Sequence, residues 1–153
     1  MWGETPRHML TRNTTTEPKI QLRARPNPTI DLGAVDCSVS LTLCDLDLPD
    51  APIIYASDGF CELTGYTVPE VLGRNPRFLQ NPPPEARSLI TSEDRAAIRR
   101  VSRAMAQSKE IQLPITNYKK DGQPFKNIMS IVPLKLGLGD EMHNYAVGLQ
   151  CEV

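Results

Sequence analysis

Hydrophobic and polar positions along the chain fall into two regimes, with the change near residue 38. From Ser38 onward Val39, Leu41 and Leu43 alternate with Ser40, Thr42 and Cys44, the period-two pattern of a strand. Leu46-Asp47-Leu48-Pro49-Asp50 reads as a turn and Pro52-Ile53-Ile54-Tyr55-Ala56 as a second strand, so the two form a hairpin. Ser57 and Asp58 offer N-cap oxygens ahead of Phe60 and Leu63, and Gly65 closes that short helix. Residues 69–73 predict another helical turn ending on Gly73. Asn75 caps a third, with Pro76 at its first position, where the missing N–H has no helical partner to lose. As the residue before a proline, Asn75 is pushed toward the extended dihedrals that an N-cap needs. Pro82, Pro83 and Pro84 forfeit helical hydrogen bonds, so residues 81–91 read as a loop. The longest helix starts at Ser92 and runs to about Gln107. Ala97, Ile98, Val101, Ala104 and Met105 recur there at three- and four-residue steps, with Arg95, Arg99, Arg100 and Arg103 on the other faces. Three strands follow, 110–119, 123–134 and 143–152. The first two are joined by a hairpin turn at Asp121-Gly122, the last two by a glycine-rich loop at 137–140.

Helices enclosed between strand pairs predict an α+β domain, an antiparallel sheet with helices on one face. Residues 1–36 form an N-terminal arm or cap and 37–153 the domain proper. The arm lacks sustained apolar periodicity, which suits a flexible tail. Ile20, Leu22, Ile30 and Leu32 flank Arg25-Pro26-Asn27-Pro28, which equally suits a proline-stiffened segment packed across the domain. Val153 follows directly on the last strand, so no output domain is expected in this chain.

The 153 residues suit one core, and a formal net charge of -1 gives no basic excess for direct nucleic-acid binding. No apolar run approaches the roughly 20 residues of a membrane-spanning helix, and the first residues lack the order of a secretory signal. A cytoplasmic or nuclear protein is expected. Cys37, Cys44, Cys61 and Cys151 form no CxxC pair, and His8 and His143 lie far apart, so free and mostly buried thiols are expected rather than a zinc site. No Ser-His-Asp or Cys-His arrangement and no phosphate-cradling GxxxxGK[ST] run points to an enzyme. Asp45, Asp47 and Asp50 read as a solvated turn cluster.

Two stretches are more specific. Pro52 to Tyr66, followed by Glu70-Val71-Leu72-Gly73, resembles the front half of PAS domains. Gly73-Arg74-Asn75-Pro76-Arg77-Phe78-Leu79-Gln80 resembles the motif of light–oxygen–voltage (LOV) domains at seven of eight positions, with Pro76 where that family has its reactive cysteine. The resemblance runs over about residues 26–152 and is nearest to the short fungal blue-light receptors of the Vivid type. It implies a PAS fold, a five-stranded antiparallel sheet with short helices on one face and an N-terminal cap. It also implies a flavin, FAD or FMN. Side-chain amides suit a flavin edge because each offers a donor and an acceptor. The family's amide positions fall on Asn117, Asn127 and Gln150, one on each of the last three strands, and on Asn75 and Gln80 at the short helix. Arg77 matches the family's phosphate-binding arginine. A second family arginine falls on Ser102, a departure for which Arg99 or Arg103, one helical step away, are the candidate substitutes. Residues 81–91 are longer than the corresponding link in plant phototropins, which implies room for FAD.

Without the cysteine, the covalent photocycle of the family is expected to be lost. What remains implied is photoreduction to a neutral semiquinone and a compensating rotation of the Gln150 amide, with Tyr55, Tyr66, Tyr118, Tyr145 or Trp2 as electron donors. Output is expected through a light- or redox-dependent homodimer or a protein partner in transcriptional signalling. Two other readings stay open, a light-blind flavin-binding or protein-interaction module and an engineered adduct-deficient variant.

Overall fold

A computed structural model describes residues 28–30, 39–138 and 140–153, without the side chain of Leu138. Cys37, His8, Trp2 and most of the arm lie outside the described residues. Five strands, β1 (Ser40–Asp45), β2 (Ile53–Ala56), β3 (Ile111–Tyr118), β4 (Pro124–Leu138) and β5 (Glu141–Glu152), form one sheet in the order β2-β1-β5-β4-β3. Every neighbouring pair is antiparallel. Helices α1 (Asp58–Thr64), α2 (Val68–Val71) and α3 (Ser92–Ala106) and two 3-10 helices, Pro76–Gln80 and Pro84–Leu89, lie between β2 and β3. The α+β expectation and the five-stranded sheet hold.

Local chemistry sets the helix ends. Ser57 Oγ accepts from the Phe60 amide as the N-cap of α1 and donates to the Val39 carbonyl, so one hydroxyl fixes the helix start to β1. Gly65, at φ 80°, closes α1 in the left-handed region that glycine enters without steric cost. Thr91 and Asp94 form a reciprocal capping box at the start of α3. Asn75 is extended at φ -74°, ψ 134°, and its Oδ1 accepts from the Arg77 amide, as expected for a cap before Pro76.

The register divides the sheet into two faces. On the outer face Leu43, Val132, Tyr145, Val147 and Leu149 form a cluster against which Ile30 packs, so residue 30 belongs to a segment lying on the sheet. The inner face, toward the helices, carries a second cluster in which Cys44, Ile53 and Ala56 meet Phe60, Val71 and Leu79. The backbone of residues 73–74 pairs with Ile53, N–H to carbonyl in both directions, covering the free side of β2.

Four expectations need correction. Residues 81–91 are not wholly loop, because Pro84 opens a 3-10 helix at the first-turn position that tolerates proline. The glycine-rich loop shrinks to the tip of a hairpin: Leu134 and Leu136 continue the outer-face alternation, so β4 runs to Leu138 and pairs there with Glu141. The acidic cluster is not simply solvated. Asp45 is buried and accepts from the Asp47 amide, Asp47 accepts from both the backbone and side chain of Asn144, and Asp50 pairs with Arg77. Cys61 is half-buried at the margin of the inner core and Cys151 is exposed, whereas Cys44 is buried as expected.

Candidate functional site

Polar side chains are the anomaly of the inner face. Strand pairing aligns Ser40 with Gln150, Gln150 with Met129, Met129 with Leu113, and Ile115 with Asn127. By the two-residue alternation Gln150, Asn127 and Asn117 therefore share the face toward the helices. All three are buried, at 7%, 0% and 2% exposure. Burying three amides on an otherwise apolar face is costly unless each is hydrogen-bonded. Asn127 Nδ2 donates to Asn117 Oδ1 at 2.8 Å, and Asn127 Oδ1 accepts from the Cys151 amide at 3.0 Å. Asn117 Nδ2 reaches only the adjacent Thr116 carbonyl at 3.2 Å.

Gln150 is held from β1. Ser40 Oγ donates to Gln150 Oε1 at 2.7 Å, with both residues buried. The Gln150 Nε2 end lies over Gly148, where an added Cβ would stand 3.2 Å from Nε2 and 2.8 Å from Thr42 Oγ1. Ser40 and Thr42 are residues the sequence reading did not single out, since the alternation alone marked a strand and assigned neither of them a role. The available signal was their chemistry: Ser40, Thr42 and Cys44 are small and uncharged, which suits a strand covered on both sides.

The 3-10 helix Pro76–Gln80 packs against β3 and leaves Gln80 half-buried. Tyr66 meets Phe78 edge-on with centroids 5.0 Å apart, and the Arg74 guanidinium sits 4.0 Å over the Phe78 ring. Asn75 and Arg77 are both engaged by Asp50 of the β1–β2 turn. Asn75 Nδ2 donates to the Asp50 carbonyl at 2.7 Å, and the exposed Arg77 guanidinium pairs with the Asp50 carboxylate. Arg99 and Arg103 are exposed on α3.

Neither described inner-face thiol suits nucleophilic chemistry at neutral pH. Burial pushes the Cys44 thiol up to about 12. Cys61 is raised by burial and then by the negative charges of Asp58, Glu62 and Glu70. Position 76 itself is a proline, which has no nucleophile. The donor set instead suits a planar ligand edge that alternates carbonyl acceptors with an N–H donor, read by three amides on adjacent strands.

A five-stranded antiparallel sheet of this order with short helices over one face is the α+β arrangement of a PAS-type domain. The chain belongs to the PAS domain family, whose model matches residues 38–150. Within that family it is a domain of the LOV type. It is similar to a fungal LOV domain photoreceptor linked to a conserved pathway integrating blue light and oxidative stress, at 51% identity and a TM-score of 0.74, covering 88% of this chain and 87% of that one. The light-state dimer of the fungal blue-light photoreceptor Vivid is similar at 42% identity and a TM-score of 0.73, covering 87% and 90%. The blue light receptor lreA of Aspergillus flavus is 39% identical over 132 residues, which is 85% of this chain but 15% of that protein. No described helix is long and apolar enough to cross a membrane.

Proposed function

We propose that this chain is a flavin-binding blue-light or redox sensor that signals without a covalent thiol adduct. The observation that carries the reading is the array of buried amides, Asn117, Asn127 and Gln150, on the helix-covered face of a LOV-type domain. Asn117 and Asn127 would hold the polar edge of the ring and Gln150 its central nitrogen. Gln80 and Asn75 would meet the ribityl chain, and Arg77 the phosphate of FMN or FAD. Arg99 and Arg103 are free to swing toward a second phosphate, in place of the arginine that Ser102 does not supply.

A bound flavin supplies absorption of blue light and, with proline at position 76, one-electron reduction in place of bond formation to sulfur. The chain's own residues then carry the signal. Ser40 donates to Gln150 Oε1, which would leave Nε2 for the ligand. When the atom it faces changes from acceptor to donor, the amide rotates, since an unpaired buried polar group costs about 1–3 kcal/mol. The Ser40 hydroxyl, which can donate or accept, turns with it and passes the change to β1, the strand that continues from the N-terminal arm.

Output through a homodimer or through a protein partner in transcriptional signalling, in the cytoplasm or nucleus, belongs to the same proposal. Its support is the likeness to a receptor that forms a light-state dimer. The deciding experiment is visible spectroscopy of the flavin-reconstituted protein before and after blue light, with and without an added reductant. The reading expects flavin absorbance, no thiol-type bleaching, and a reduced species only with the electron donor. It further expects Gln150→Leu to abolish any accompanying change in size or shape. Colourless protein after reconstitution with FMN and FAD would falsify the flavin assignment, and a bleach that recovers in the dark without reductant would remove the adduct-free part.

A further inference from the structure

We infer that Asp50 is a specificity-determining residue that lowers the affinity of this site for a dianionic phosphate monoester, such as FMN, relative to a flavin without one. The inference rests on the flavin reading above. Its basis is that Arg77, the guanidinium that reading gives to the phosphate, is paired with the Asp50 carboxylate. Asp50 is also the residue whose carbonyl accepts from Asn75 Nδ2, so the β1–β2 turn grips both ends of the Asn75-Pro76-Arg77 segment.

The carboxylate is held there by the backbone. Asp50 and Ala51 have φ of 65° and 44°, two consecutive non-glycine residues in the left-handed region. Such a conformation is unfavourable for Ala and persists only when the surroundings over-determine it. Here the Ala51 amide donates to the Leu48 carbonyl, the Asp45 amide to the Pro52 carbonyl, and Asn75 to Asp50 itself. Asp50 therefore projects its charge at Arg77 from a fixed turn.

A phosphate that engages Arg77 must displace or share this partner. A dianion in hydrogen-bond reach of Arg77 stands within about 6 Å of the Asp50 carboxylate. At that range water-like screening leaves about a three- to tenfold penalty in Kd. The penalty scales with ligand charge. Riboflavin feels none of it, and the singly charged phosphates of FAD feel less than the FMN monoester. Because the monoester loses its second proton near pH 6, the penalty on FMN grows across that pH.

The test compares wild type with Asp50→Asn in the full chain, reading dissociation constants for riboflavin, FMN and FAD by flavin fluorescence at pH 5.5 and pH 7.5. Asn keeps the shape, the side-chain hydrogen bond and the tolerance for positive φ, and removes only the charge. The expected result is an unchanged riboflavin constant, FMN tightened about three- to tenfold at the higher pH and less at the lower, and FAD tightened less than FMN. An FMN-to-riboflavin ratio within twofold of wild type at both pH values, with riboflavin bound normally, overturns the role of Asp50 and leaves the flavin site standing. Failure of all three flavins to bind wild type overturns the flavin site and this inference with it. Weakened riboflavin binding in Asp50→Asn together with unchanged FMN discrimination assigns the residue to the turn alone, which also overturns the inference.

Discussion

Replacing Asn127 with leucine tests whether the buried amides are there for the fold or for a ligand. Asn127 is fully buried, and its amide makes two bonds, donating to Asn117 Oδ1 at 2.8 Å and accepting from the Cys151 amide at 3.0 Å. Leucine has the same branched skeleton but is bulkier, so the loss is polar with some overpacking added. Asn117 Oδ1, at a residue 2% exposed, is left without the donor Asn127 supplies, a cost of about 1–3 kcal/mol. The Cys151 amide lies on an exposed residue where water can replace the lost acceptor, so it adds about 0.5–1 kcal/mol. The greater apolar burial of leucine returns part of this. Asn127→Leu should therefore destabilise by about 2 kcal/mol in urea unfolding, with an unchanged m-value. Removing both partners is a different case, because Asn117→Leu/Asn127→Leu leaves no orphaned amide between them. The double variant should lie at least about 1 kcal/mol above the sum of the single effects. All three variants should lose flavin binding, the double one included, even where stability is recovered. Additive single effects refute the hydrogen-bond reasoning, and a folded double variant that binds flavin normally refutes the assignment of these amides to the ring edge.

Three further outcomes follow from separate parts of the molecule. Gly148→Ala places a Cβ 2.8 Å from Thr42 Oγ1, a stiff side chain 1% exposed, and should cost about 1–3 kcal/mol in chemical unfolding and displace the Gln150 amide; Thr42→Ala in the same chain should restore most of the loss. Glu110→Ala removes the carboxylate oxygen that accepts from the Thr29 amide, the Thr29 hydroxyl and the Ile30 amide, and should speed hydrogen exchange of the Thr29 and Ile30 amides severalfold with a change in global stability of no more than about 1 kcal/mol. Cys44 keeps its proton in the folded state up to about 12, against 9.0 when exposed, so the unfolded chain binds fewer protons above pH 9; stability should fall with rising pH between those values, and Cys44→Ala should flatten that part of the profile.

How much of this was legible in the sequence depends on the range over which each feature is decided. Helix ends were readable because their causes lie within four residues. Ser57 caps α1, Gly65 closes it, and Asn75 is held extended by the proline after it, as local dihedral rules require. The amides Asn117, Asn127 and Gln150 were readable by resemblance, and strand parity puts them on one face. What failed was anything set by a distant partner. The alternation of Val39, Leu41 and Leu43 with Ser40, Thr42 and Cys44 looks like a half-exposed strand, yet both sets are at least partly buried because Ile30 and the outer cluster lie on one side and α1 on the other. Asp50 reads as an ordinary turn acid; its pairing partner, Arg77, lies 27 residues away. The extent of β4 was underestimated because Gly137 suggested a loop, whereas pairing of Leu138 with Glu141 carries the hairpin almost to its tip.

The two-faced burial bears directly on how a signal can leave the site. Gln150 faces inward, while its neighbour Leu149 belongs to the outer cluster that also covers Ile30. Side chains on a strand alternate, so an event at Gln150 reaches the outer face only by moving the backbone of β5 or, through Ser40, of β1. The outer contact is well suited to feel such a movement. Ile30 is half-buried, and the Thr29 and Ile30 amides both donate to one half-buried carboxylate, Glu110. A partly exposed hydrogen bond to a carboxylate contributes about 1 kcal/mol, and partial burial of one isoleucine about 1–2 kcal/mol. The cost of leaving the Gln150 amide mispaired, about 1–3 kcal/mol, is of the same size. A contact much stronger than the stimulus would not release, and one much weaker would not stay docked beforehand. On the proposed reading, the near equality of these two energies allows an adduct-free site to move the arm. Pro76 then changes which chemistry starts the event, while the route from Gln150 to Ile30 is left intact.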